Sequence, residues 1–151
     1  MAKRILTWIK PSSDQIHIWN YFGAVQPLLK LIAQDSQNEW FFMIANMHTM
    51  TTVHDASVLR TNTIAFCRLY VALLKHYWSN LDQIAIYNPA LIPAHAQLSW
   101  ILSCVTHMGF MERMHAYKDA IAKWKANEVS VGTFNYPILQ AADIVLYDAD
   151  I

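Results

Sequence analysis

The sequence predicts an α/β fold built on a parallel sheet. Short apolar runs alternate with longer amphipathic stretches down the chain, the pattern of strands joined by helices. The short runs are nearly continuous in apolar residues, as strands buried on both faces are. Of 151 residues 55% are hydrophobic and 15% charged, enough to bury a core and too apolar for a disordered chain. The length fits one domain or a piece of one.

Taken in order, Arg4–Ile9 (RILTWI) reads as a strand that ends at Lys10-Pro11-Ser12-Ser13, a loop. From Asn20 to Ala33, Phe22, Val25, Leu28, Leu29 and Ile32 recur at helical spacing, with Pro27 kinking the helix or delaying its start. Trp40–Ala45 (WFFMIA) suits a buried strand. Asp55 opens a long amphipathic helix to about Lys75, with Val58, Leu59, Ile64, Leu69 and Leu73 on or near one face. Ile84–Tyr87 is a short strand closed by Asn88-Pro89. Pro93 opens a helix through Trp100 to about Val105, and Met111–Lys125 reads as another. A hydrophilic hinge, Asn127–Thr133, leads to Tyr136-Pro137 and then ILQAADIVLY, a buried helix.

Eleven basic and eleven acidic residues balance, which excludes a strongly basic nucleic-acid arm and an acidic tail. Cys67 and Cys104 lie in apolar-periodic segments and read as reduced thiols. The apolar stretch Ile5–Ile9 is too short for a signal-peptide core, and Ile64–Leu74 too short for a membrane span, so a soluble cytoplasmic protein is expected. His48 and His54, like His107 and His115, do not have ligand-pair spacing, and no metal site is expected. There is no Gly-rich P-loop, no G-x-G-x-x-G and no G-x-S-x-G elbow.

One segment stands apart. Lys10-Pro11-Ser12-Ser13-Asp14-Gln15-Ile16-His17-Ile18-Trp19-Asn20 runs from a strand through a Pro-containing loop to His-x-x-Asn at the start of a helix. Free N–H groups and the helix dipole make such a place suited to anions, although Asn20 as a helix cap and His17 as a loop histidine are equally simple readings. The segment resembles the nucleotide signature of class I aminoacyl-tRNA synthetases, in the His-x-Gly-Asn form of the tryptophanyl enzymes. FFMIANMHTMTT resembles the family's second strand with its histidine, and IPAHAQLSWILSCVTHMGFMERMHAYKDA its central helical segment. VGTFNYPILQAADIVLYDADI resembles its tryptophan-recognition helix, so the likeness spans residues 4 to 151 in family order.

The resemblance implies a Rossmann-like nucleotide-binding fold, its sheet flanked by helices and incomplete at the C-terminal end. It implies a ligase that joins tryptophan to ATP with Mg2+, then passes the aminoacyl group to tRNA(Trp), and that is homodimeric at full length. No covalent enzyme intermediate is needed, so catalysis is positioning and stabilisation of phosphate charge. By the same resemblance Lys10, Pro11 and Ser12 form the first ATP-contacting loop. His17 and Asn20 are the catalytic pair of the signature, with Trp19 between them at the ATP. Asp143 matches the acceptor of the indole N–H, and His48, Gln140 and Trp8 stand at the tryptophan pocket. An indole nitrogen only donates and an ionised carboxylate only accepts, so that pairing is chemically apt. Read without the resemblance, Asp143 one turn from Tyr147 is equally a core carboxylate with a partner.

Three departures follow. The chain reads as the N-terminal part of the catalytic domain, residues 1–151, without the Lys-Met-Ser-Lys-Ser loop or the anticodon-binding region. An exposed sheet edge, an exposed apolar patch and no tRNA charging by this piece alone are therefore expected. Where members often carry glutamine, this chain has Ala116. The chain also holds only three glycines where average usage of about 7% would give about ten. Trp8, Trp19, Trp78 and Trp124 stand where the family has glycine, while Trp100 reads as genuine and Trp40 is unassigned. UGA codons meaning glycine but read as tryptophan would account for all four. The rival is a decayed paralogue with a filled pocket, a non-catalytic binding module; the tyrosyl enzyme is the remaining alternative.

Overall fold

The computed structural model describes residues 2–34, 37–77, 81–123 and 128–150. It divides into a first unit, up to Pro89 and including Ala149 and Asp150, and a second unit, Ala90–Asp148.

The first unit is a three-stranded parallel sheet with strand order β1-β2-β3, made of β1 (Arg4–Ile9), β2 (Glu39–Ile44) and β3 (Ile84–Tyr87). Strand β2 is central, which is why its sequence is almost uninterruptedly apolar. Register pairs Ile5 with Trp40, Thr7 with Phe42 and Ile9 with Ile44, then Trp40 with Ile84 and Phe42 with Ile86. Because side chains alternate along a strand, these residues share one face. Against them pack Val25, Leu29 and Ile32, and Phe66, Tyr70 and Leu74. Trp8 and Leu6 lie on the other face. Beyond the ladder, Asp150 donates its backbone N–H to the Arg4 carbonyl at 2.9 Å and accepts from the Arg4 N–H through Oδ2 at 2.9 Å.

Between β1 and β2 the chain forms α1 (Ile18–Asn20), a π-helical turn (Tyr21–Val25) and α2 (Gln26–Gln34). The helix expected from Asn20 is thus broken into pieces. Pro27 has no N–H to return to the carbonyl four residues back, and a wider turn stands just before it. After β2 come α3 (Asn46–Thr49) and α4 (Ala56–Tyr77). The buried stripe of α4 is Asn62, Phe66, Tyr70 and Leu74, not the one expected: Val58 and Ile64 are exposed. Asn62 and Tyr70 read as polar in sequence but face the core, and burial pushes the Tyr70 hydroxyl up to about 12. Trp40 is also a core residue, 2% exposed.

Asp55 caps α4. Its Oδ1 accepts from the N–H of Ser57 at 2.8 Å and of Val58 at 3.1 Å, and from the Ser57 hydroxyl at 2.6 Å. The Ser57 hydroxyl first, then these backbone donors, hold the carboxyl below its ordinary 3.8. A carboxyl so lowered stabilises the fold above that value and loses the effect as pH falls through the lowered one. Asp55→Ala is therefore expected to lower Tm at about pH 7, with the gap from the unaltered chain narrowing as the pH is taken well below 3.8. Thermal melts across that range check this; a gap that persists in acid excludes the charged cap.

The second unit is helical: α5 (Ala94–Val105), α6 (Met108–Met111), α7 (His115–Lys123) and α8 (Val131–Leu146). The single helix expected over Met111–Lys125 is interrupted after Met111, and residues 124–127 lie outside those described. Helix α8 starts well before Pro137, inside the supposed hinge, because Ser130 caps it: its Oγ accepts from the Thr133 N–H at 3.1 Å. Pro137 then sits within the helix. The unit is held by α5 against α8 and by an edge-on contact of Tyr117 with Phe134, centroids 4.8 Å apart.

Candidate functional site

In a parallel sheet, ligands bind outside the carboxyl ends of the strands. At the end of β1, Pro11 is buried and its carbonyl accepts from Asn62 Nδ2 at 3.3 Å, which ties the Lys10–Ser12 loop to α4. The Ser12 N–H bonds back to the Lys10 carbonyl at 2.9 Å, tightening the turn. Strand β2 hands over directly to α3, which carries a half-buried His48. Lys10 Nζ lies 3.4 Å from Thr51 Oγ1, and that hydroxyl donates to the His48 carbonyl at 2.8 Å. Partial burial pulls the Lys10 ammonium below its ordinary value. Lys10, Pro11, Ser12 and His48 therefore share one rim. Beside them, Ser12, Ser13, Asp14, Ser57, Thr61 and Asn62 line an open cavity of about 380 Å3, rich in hydroxyls.

The capping role at α1 falls to His17 and not to Asn20. His17 Nδ1 accepts from the Trp19 N–H at a long 3.5 Å, and Asn20 ends the helix. Trp19 is 75% exposed and Trp8, on β1, 44% exposed; both are large rings left open to solvent. Trp78 and Trp124 lie outside the described residues. Buried close to the rim, Asn46 Oδ1 has no hydrogen-bond partner among the described residues. No three His, Cys, Asp or Glu side chains gather to hold a metal ion among the described residues, and no described helix is long and apolar enough to cross a membrane.

Gln140 and Asp143 are carried by α8 in the second unit. Gln140 is half-buried, whereas Asp143 is 1% exposed and bonded to His95 Nδ1 at 2.5 Å. Sequence reasoning missed His95. The signal was present: a histidine just inside a helix start in PAHAQLSW, an apolar context in which a buried imidazole needs a partner.

A parallel β-α-β unit whose first strand runs into a Lys-Pro-Ser loop and a helix opening on His-x-x-Asn defines the Rossmann-type half of a class I aminoacyl-tRNA synthetase. Residues 2–151 match the family of class I tRNA synthetases for tryptophan and tyrosine (W and Y), and the chain belongs to that family. It is 39% identical over 148 residues to the tryptophan–tRNA ligase of Prochlorococcus marinus subsp. pastoris, covering 98% of this chain and 41% of that one. It is 37% identical to tryptophan–tRNA ligase 2 of Streptomyces avermitilis, covering 97% and 42%. Among solved structures, the tryptophanyl-tRNA synthetase of Campylobacter jejuni complexed with ADP and tryptophan superposes with a TM-score of 0.82 at 36% identity, covering 97% of this chain and 43% of that one. A tyrosyl-tRNA synthetase from Archaeoglobus fulgidus shares the fold, with TM-score 0.70 at 17% identity. The chain thus spans about two fifths of the length of the relatives it matches.

Proposed function

We propose that the chain is the N-terminal part, residues 1–151, of the catalytic domain of a tryptophan–tRNA ligase. Such an enzyme joins the carboxylate of tryptophan to the α-phosphorus of ATP, releases pyrophosphate, and transfers the aminoacyl group to the 3′ end of tRNA(Trp). The observation that carries this reading is the superposition, over 97% of the chain, on a tryptophanyl enzyme complexed with ADP and tryptophan. In this reading Lys10, Pro11, Ser12, His17 and Asn20 meet the phosphates and ribose of ATP, which arrives with Mg2+, and Trp19 marks the adenosine space. His48, Gln140 and Trp8 border the amino acid, and Asp143 accepts its indole N–H. A site built on that bond rejects a ring without the donor by about 10⁴–10⁵. The full protein is read as a cytoplasmic homodimer; Trp100, Ile101 and Val105 on α5 and Met108 on α6 are exposed apolar side chains of the kind a subunit contact covers.

The test is amino-acid-dependent exchange of labelled pyrophosphate into ATP by the full gene product that carries this chain. Exchange driven by tryptophan and not by tyrosine is expected. Exchange driven by tyrosine would move the protein to the tyrosyl enzymes. Absence of exchange together with absence of ATP binding would leave a non-catalytic binding module.

A further inference from the structure

We propose that His95, backed by Tyr147, is the positioning residue of Asp143 and so sets the preference for a side chain that carries an N–H donor. The proposal rests on the reading of Asp143 as the acceptor of the indole N–H. Its observation is a three-membered chain in the second unit. His95 is 0% exposed; its Nδ1 lies 2.5 Å from Asp143 Oδ1 and its Nε2 lies 3.0 Å from the Tyr147 hydroxyl. Asp143 lies in the last turn of α8 and Tyr147, four residues on, is the residue that caps its C-terminus; both reach His95 in the first turn of α5.

The chemistry gives the chain a direction. An ionised carboxylate only accepts, so the proton of the bond to Asp143 sits on His95 Nδ1. The Tyr147 hydroxyl can meet Nε2 in either form of the ring, donating to a neutral imidazole or accepting from an imidazolium, so Nδ1–H stays aimed at Asp143 in both. Each member is oriented by the next, as in the second coordination layer of a catalytic histidine. A carboxylate has about four acceptor sites, so a donor on one oxygen orients the group without exhausting it. Asp143 is thereby held in one rotamer, and the direction in which its remaining lone pairs accept is fixed before substrate arrives.

The experiment measures KM for tryptophan and for benzothienylalanine, in which sulfur replaces the indole N–H, in pyrophosphate exchange by the full gene product. His95→Leu is expected to raise the KM for tryptophan by about tenfold or more while moving that of the analogue by less than about twofold. His95→Asn, whose amide places a donor near the Nδ1 position, is expected to recover part of the loss. Tyr147→Phe keeps the packing and removes only the outer hydroxyl; it is expected to shift the same ratio in the same direction by a smaller factor, and it decides the matter should His95→Leu not fold. Equal weakening of both amino acids would overturn the proposal, because a contact that merely ties α5 to α8 cannot distinguish them. Asp143→Asn serves as the separate arm. If it leaves the ratio unchanged, the reading of Asp143 falls and this proposal with it; if it shifts the ratio while the His95 and Tyr147 variants do not, only the positioning role falls.

Discussion

Trp8→Gly and Trp19→Gly together are expected to tighten ATP binding to the 151-residue chain by about ten- to a hundredfold. A ring pressed into an occupied or ligand-filled space costs about 1–3 kcal/mol, and each 1.4 kcal/mol is a factor of ten. Both rings are exposed, at 44% and 75%, which is unusual for indoles in a chain this apolar. Trp8 is the penultimate residue of β1, next to the Lys10–Ser12 loop, and Trp19 follows His17 by two. Stability should move the other way. Glycine in a strand or helix costs about 0.5–1 kcal/mol relative to alanine, so the double variant melts at a lower temperature while binding more tightly. That opposition separates relief of a blocked site from general stabilisation. Calorimetric titration with ATP beside a thermal melt reads both. Unchanged binding would mean that the Trp19 ring does not fill nucleotide space and would favour the non-catalytic binding module. The codons at 8, 19, 78 and 124 bear on the same question: TGA at all four supports recoded glycine, whereas TGG at 8 and 19 supports a filled pocket.

How much of this was legible depended on the range of the interactions involved. The ends of β1 and β3 are marked by Lys10-Pro11 and Asn88-Pro89, local signals that act within a few residues, and the structure places both strands at the expected bounds. The start of α8 was hidden because Pro137 looks like a boundary, while the decisive signal is Ser130 seven residues earlier, a cap that a proline within the helix does not cancel. The buried face of α4 was misjudged because Asn62 scores as polar; it is buried for its bond to the Pro11 carbonyl, a contact across 51 residues that no periodicity reports. Lys10 to Ser12 and His48 were singled out by the family resemblance alone; that they lie on one rim follows from a parallel sheet sending the carboxyl ends of its strands to one side. His95 was missed because the local signal, a histidine in an apolar helix start, does not say which partner it has; Asp143 and Tyr147 are 48 and 52 residues away.

Phe42→Ala is expected to be the most destabilising single substitution in the first unit, by about 3–5 kcal/mol. Against a total of about 5–15 kcal/mol for a domain, that removes about a fifth or more of the stability. Phe42 is 1% exposed at the middle of the central strand, flanked in register by Thr7 and Ile86, and meets the Tyr70 ring edge-on at 5.3 Å. Truncation would forfeit its transfer energy, leave a cavity between β2 and α4, and lose the aromatic pair, itself worth about 0.5–1.5 kcal/mol. Phe42→Leu keeps most of the volume and should cost less than about 1.5 kcal/mol. The difference reaches the rim. A slip of β2 by one residue would turn Trp40, Phe42 and Ile44 out of the core together, so the large ring at position 42 is what penalises every wrong register. With β2 in register, Ala45 donates to the Ile9 carbonyl at 2.8 Å and α3 begins one residue later, which sets His48 beside the Lys10 loop. Denaturant melts of the two variants check the energies. Exchange protection of the Ala45 N–H is the sharper readout: it should fall further in Phe42→Ala than the global loss of stability requires, and protection that only tracks global stability would separate the core from the register.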